Sequence, residues 1–169
     1  MTVKDTAEAI MDAAERRIRD AGYNGFSFRE IAEEVGVKSA SVHYHFPTKE
    51  DLAASVARRY TERFLLSVDE EAASGCGTVE AWVRGFRRAL NDDGKMCLCG
   101  ALGAASHSLP KEVLSEAQQF FRLGLAKLTE GGLSQSRALQ VMAALEGGML
   151  LANVLANPDA FDAAAAGLS

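Results

Sequence analysis

Apolar positions recur at helical spacing along nearly the whole chain, and no convincing strand is read anywhere in it. Residues 6–21 put Ile10, Ala14, Ile18 and Ala21 on one stripe with charges opposite, and Gly22 supplies a left-handed position to end that helix. Ser27, with Glu30 three residues on, reads as a capping box for a short helix whose stripe is Phe28, Ile31, Ala32 and Val35; Gly36 stops it. Ser39 caps a third short segment over residues 40–46. Pro47 ends that segment, because the residue before a proline is pushed out of helical geometry.

Thr48 and Asp51 open a long helix predicted to reach about residue 73, with Leu52, Val56, Tyr60 and Phe64 inward, and Ser74-Gly75-Cys76-Gly77 breaks it. A helix from Thr78 carries Trp82, Phe86 and Leu90, followed by a polar turn over residues 91–95 and a small, apolar, buried helix over residues 96–106. Pro110 suits the first turn of the next helix, which carries Val113, Ala117, Phe121 and Leu128 and closes at Gly131-Gly132. Ser134 starts a last long helix to about residue 156, and Asn157-Pro158 restarts a short one ending near Leu168. The expectation is an all-α chain of nine helices. Residues 1–48 are predicted to form an N-terminal module and residues 49–169 a helical body, with the helix from Thr48 shared by both because no linker separates them.

Composition supports a packed protein: of 169 residues, 48% are apolar and 24% charged. The net charge of -5 argues at first against a nucleic-acid partner. Its distribution reverses that, because residues 35–49 contain no Asp or Glu and do contain Lys38, His43, Tyr44, His45 and Lys49. Only charges within about a Debye length of the phosphates count fully, so a local gap in the acids is enough. An odd count of cysteines (Cys76, Cys97 and Cys99) suits free thiols in a reducing compartment rather than a disulfide framework. The first ten residues lack the apolar core of an export signal, and no apolar run is long enough for a membrane span, so a cytoplasmic protein is expected.

The segment from Ser27 to Phe46 has the anatomy of a DNA-reading helix pair: a short amphipathic helix, a turn with glycine, then a second short helix. Ala32 is small where the helices cross, and Val37 tucks beneath the turn. Ser39, Ser41 and His43 keep much of the second helix polar, as a helix lying in a major groove must be. The run GYNGFSFREIAEEVGVKSASVHYHFPTKEDL, residues 22–52, resembles the signature of TetR-family transcriptional regulators. A weaker resemblance to the last-helix region of such proteins covers LEGGMLLANVLANPDAF, residues 145–161.

That resemblance implies a TetR-like fold: a three-helix DNA-binding domain and a helical domain for ligand binding and dimerisation. It further implies a ligand-responsive repressor that binds palindromic double-stranded operator DNA as a homodimer, needs no cofactor, and is released by a small-molecule effector. By the same resemblance Ser27 and Lys49 contact phosphates from the flanks, with Thr48 beside Lys49, and Tyr44 and His45 pack on the DNA backbone or donate to it. Lys38, Ser39, Ser41 and His43 face bases or nearby phosphates, and Arg29 is a further phosphate candidate. His43 departs from the family, which more often has an aromatic residue there.

In the body, Ala143, Ala144, Gly147 and Gly148 allow close approach of another helix, and Met149, Leu150 and Leu151 spread apolar groups over more than one face. The family implies that the last two helices pair with their copies, which makes Ala144, Gly147, Gly148, Leu151 and Phe161 the candidate dimer interface. Trp82, Phe86, Cys97, Cys99, His107, Phe120 and Phe121 suit an apolar effector pocket, though an ordinary core explains most of them equally well.

Cys97 and Cys99 do not suggest a metal, since residues two apart on a helix point about 200° from each other and His107 does not complete a set of ligands. MCLCG followed by SHSLP resembles a branch of the family for which small reactive acids or electrophiles are the implied effectors. A thiol-based redox or electrophile sensor using Cys97 and Cys99 is therefore the alternative function, with inert buried thiols as its plainer counterpart. No nucleophile–base pair, phosphate-binding glycine loop or carboxylate pair suggests an enzyme. A module that binds only proteins leaves the acid-free cluster of donors unexplained.

Overall fold

The computed structural model describes residues 2–168, and of Asp93 the backbone. Among the described residues there are nine α-helices, two short 3-10 turns and no strand. The helices are α1 (Val3–Ala21), α2 (Phe28–Val35), α3 (Ser39–His45), α4 (Lys49–Ala73), α5 (Thr78–Asp93), α6 (Leu98–Gly103), α7 (Lys111–Glu130), α8 (Gln135–Val154) and α9 (Asp159–Ala165). They form two compact units: residues 1–60 with 98–118, and residues 61–97 with 119–169. These units do not follow a cut at residue 48, because α4 contributes residues to both and α6 packs on α1.

In the first unit α1 starts a turn earlier than its apolar stripe indicates. The Thr2 hydroxyl accepts the Asp5 N–H at 3.2 Å while the Asp5 carboxylate accepts the Thr2 N–H at 2.9 Å, a reciprocal cap that Thr6 cannot make. The stripe is buried at Ile10, Ala14 and Ile18 but ends there, since Ala21 is exposed. Gly22 ends the helix at φ +71° and ψ −168°, a combination open to glycine but not the left-handed helical one.

At the end of α2, Gly36 is left-handed (φ +75°, ψ +32°), and the N–H groups of Gly36 and Val37 both return to the Ala32 carbonyl at 2.9 Å. Lys38, not Ser39, occupies the N-cap of α3: Ser39 has already entered the helix, and no side chain caps it. Thr48 and Asp51 cap α4 reciprocally, with Asp51 N–H to Thr48 Oγ1 at 3.1 Å and Thr48 N–H to the Asp51 carboxylate at 3.2 Å. Arg59, on the second face of α4, ties it to α1 through Glu8, Asp12 and Glu15 at 2.7, 2.8 and 3.0 Å.

The second unit is built around Phe64 of α4. Its ring centroid lies 5.0 Å from Phe86, 5.4 Å from Phe120 and 5.9 Å from Trp82. The contacts with Phe86 and Phe120 are edge-to-face and that with Trp82 is tilted, and such contacts add to the burial of large rings. α5 runs on through residues read as a polar turn, because Gly94 takes the left-handed position and donates to the Leu90 carbonyl at 2.7 Å. α6 is shorter than the expected 96–106 segment and gives way to a 3-10 turn at Ser106–Ser108. In the C-terminal pair, Gly148 lets α9 close on α8: a Cβ there would lie 3.2 Å from both Phe161 and Ala164.

Candidate functional site

The second helix of the pair, α3, is held by two buried side chains one turn apart, Val42 and Phe46, the latter just past the helix end. Ser39, Ala40, His43 and Tyr44 are left exposed, and Ser41 and His45 half-buried. The His43 ring packs against Phe28 at 4.7 Å, and Tyr44, 77% exposed, meets the edge of His45 at 5.2 Å. Lys38 stands exposed at the N-cap. A groove of about 400 Å³ runs along this helix, and the early start of α1 places Val3 and Thr6 in its wall beside Lys38, Ser41, Tyr44 and His45. These two α1 residues were not foreseen. Their signal was the Thr2-x-x-Asp5 cap, three residues ahead of the apolar stripe.

The flanks are more constrained. Lys49 Nζ lies 4.6 Å from the ring centroids of both Tyr23 and Phe26, and loss of solvent around it lowers its pKa. Tyr23 in turn donates its hydroxyl to Glu50 at 3.0 Å; burial first, then this bond, pushes the phenol up to about 12. The two rings therefore fix where the ammonium can point. Ser27 and Thr48 spend their hydroxyls on capping, donating at 2.8 Å to Glu30 and Asp51 respectively. Arg29 is exposed and pairs with Glu33 one turn on at 3.0 Å. Tyr23 and Glu50 were missed as parts of the site, because nothing in their spacing shows that they meet across 27 positions.

The predicted pocket residues divide between the units. Trp82, Phe86 and Phe120 join Phe64 in the buried aromatic cluster, and Phe121 is half-buried with its ring 5.2 Å from Phe120. Cys97 is buried in the same unit, whereas Cys99 is buried in α6 of the other. His107 is exposed in the 3-10 turn Ser106–Ser108. Of the predicted interface residues, Gly148 and Phe161 are occupied in the α8–α9 contact. Gly147 faces open space, and Leu151 is exposed together with Leu139, Leu150, Val154 and Leu155. Among the described residues, no group of three or more His, Cys, Asp or Glu could hold a metal, and no helix is long and apolar enough to cross a membrane.

One titratable group in the second unit escaped the sequence reading: Glu146 on α8. Both of its carboxylate oxygens are buried without a hydrogen-bond donor of nitrogen or oxygen type, and burial pushes it up to about 7 against a small opposing pull from the Cys97 thiol. The folded state therefore prefers the protonated form. Its contribution to stability is complete below the ordinary value of 4.5 and is lost as pH rises through about 7. Stability is expected to fall by about 1 kcal/mol between roughly pH 6 and 8 through this group. Urea unfolding at the two pH values should show that loss, and Glu146→Gln should remove most of it.

Comparison with known proteins bears on the first unit most directly. Residues 10–56 match the family described as bacterial regulatory proteins, tetR family. Over 166 residues the chain is 29% identical to the HTH-type transcriptional regulator LmrA of Bacillus subtilis, covering 89% of this chain and 88% of that one. The crystal structure of a TetR transcriptional regulator from Legionella pneumophila superposes with a TM-score of 0.87 at 32% identity, over 95% of this chain and 94% of the other. One from Agrobacterium tumefaciens gives a TM-score of 0.88 at 26% identity, over 98% and 96% of the two chains. With its helix-turn-helix matched by the family and 95% of its length matched at 32% identity by a TetR regulator, the chain belongs to the TetR family of DNA-binding transcriptional regulators.

Proposed function

We propose that the protein is a ligand-responsive repressor, a binding protein rather than an enzyme, that holds palindromic operator DNA as a homodimer and releases it when a small molecule binds the second unit. The observation that carries this reading is the exposed, carboxylate-free face of α3, with Ser39, His43 and Tyr44 outward over buried Val42 and Phe46. Ser41 and His43 read base edges, and Lys38, Tyr44, His45 and Lys49 engage phosphates. Ser27, Arg29 and Thr48 serve at the flank: two of them set the starts of α2 and α4, and Arg29 exchanges Glu33 for a phosphate.

Dimerisation is favoured by the exposed row Leu139, Leu150, Leu151, Val154 and Leu155 on and just after α8, apolar surface that water disfavours. Gly147, with open space above it, permits close approach there, and Ala144 lies half-buried on the same helix. A two-fold axis then sets two α3 helices about 34–36 Å apart, one turn of DNA. Because α4 contributes to both units, a ligand that binds better to one position of α4 shifts the spacing of the reading helices. It can do so only by its differential affinity: a 100-fold loss of operator binding needs about 2.7 kcal/mol.

Release through Cys97 and Cys99 is the weaker reading. Reactive thiols favour electropositive, partly exposed surroundings, whereas both of these are buried and Cys97 faces a carboxyl group. The experiment is a salt series of DNA titrations with the wild type and Lys49→Ala. The variant should bind every duplex more weakly and flatten the slope of log K against log salt by about 0.9, the value of one phosphate contact. An unchanged slope refutes the role given to Lys49.

A further inference from the structure

We propose that Glu146 is the polar anchor of a binding site in the second unit for a small organic cation, an ammonium group carried on an apolar body. The carboxylate oxygens are buried and lack any nitrogen or oxygen donor among the described residues; the thiol of Cys97 is the one titratable group that acts on them. A buried carboxylate without a partner is costly, and folded proteins almost always supply a donor, a proton or a counter-ion.

Five cations of the second unit are engaged with other groups. Arg84 and Arg88 pair with Glu71, Arg87 with Asp162, Lys127 with Asp69, and Arg137 donates to the Leu168 carbonyl. With no nitrogen or oxygen donor on Glu146 among the described residues, a proton or a cation from outside is what would meet its charge.

The surroundings suit an organic cation better than a hydrated inorganic one. Met142 lies one helical turn before Glu146, so the two share a face of α8. Met142 also packs with Trp82 over Gly124, where an added Cβ would meet them at 2.7 and 2.9 Å. Met142 thus joins the face of α8 that carries Glu146 to the aromatic cluster of Phe64, Trp82, Phe86 and Phe120, apolar surroundings that suit an organic body and rings that attract a cation. No covalent step is involved. The ammonium replaces the proton of Glu146, which leaves to solvent. The inference rests on the ligand-responsive reading above only for its consequence at DNA.

Proton displacement gives a signature independent of DNA. The probes are benzyltrimethylammonium, whose charge does not titrate, and neopentylbenzene, its uncharged carbon isostere. Binding is followed by calorimetry and by the fluorescence of Trp82, the single tryptophan of the chain. The cation should bind at pH 8, lose affinity about tenfold per pH unit below about 7, and release a proton on binding at pH 6. The isostere should bind at least about tenfold more weakly, with no dependence on pH. Glu146→Gln, of the same shape and uncharged, should weaken the cation about tenfold or more at pH 8 and abolish the pH dependence.

Equal affinity for the two probes overturns the proposal, as does a pH-independent cation or the absence of binding by either. The wild-type pH series and the isostere pair stand even if the variant folds poorly. Cation binding with this signature but without release of DNA supports the site and counts against the effector reading. Release of DNA by other small molecules, with no cation binding, does the reverse.

Discussion

Phe64→Ala is expected to cost about 3–5 kcal/mol of stability, the usual toll of emptying an aromatic site in a packed core. Phe64 is 6% exposed and its ring touches Trp82, Phe86 and Phe120 together, so its removal unmakes three ring contacts as well as its own burial. The surrounding helices cannot collapse easily into the space. Gly124 is already closed over by Met142 and Trp82, and a Cβ at Gly85 would lie 3.0 Å from Val68. Thermal melting should fall by roughly 8–15 °C for a chain of this size. The emission of Trp82 should move to the red as water reaches its ring. A loss under about 1 kcal/mol would mean that the second unit is not organised around this residue.

The largest functional effect is expected from Ser39→Glu. Ser39 is the first residue of α3, where a carboxylate favours the helix through its dipole, so the variant should melt at or slightly above the wild-type temperature. The same carboxylate sits on the exposed, acid-free face proposed to meet phosphates. Like-charge juxtaposition there should lower affinity for every duplex by about 100-fold, or about 2.7 kcal/mol. Stability and binding thus move in opposite directions. Undiminished DNA binding by a folded Ser39→Glu protein would remove α3 from the interface.

Most of the helix order was legible from the sequence, because caps and glycines mark it: Ser27 before α2, Gly36 after it, Thr48 before α4 and Ser134 before α8 all sit where their chemistry indicates. The errors were local. α1 begins at its Thr2 cap rather than at the apolar stripe, and α3 has Lys38 at its N-cap, so Ser39, already inside the helix, does not cap it.

The site was legible where it is contiguous. The outward Ser39, His43 and Tyr44 could be read from a single helix, whereas the Tyr23–Phe26–Lys49–Glu50 cluster needs segments brought together by the fold. Side-chain type also could not separate core from pocket: Trp82, Phe86 and Phe120 are buried together, and His107 is in solvent. Glu146 went unnoticed for the opposite reason, since an acid in a helix is by default a solvated one.

The most direct measurement is selection of bound fragments from random duplex DNA at physiological salt, with the mass of the recovered complexes. Enrichment of an inverted repeat whose half-sites lie one helical turn apart, about 10 base pairs centre to centre, held by two copies of the chain, is the predicted result. Recovery of no preferred sequence, or of a single half-site on one copy, would contradict a paired α3 reading the major groove.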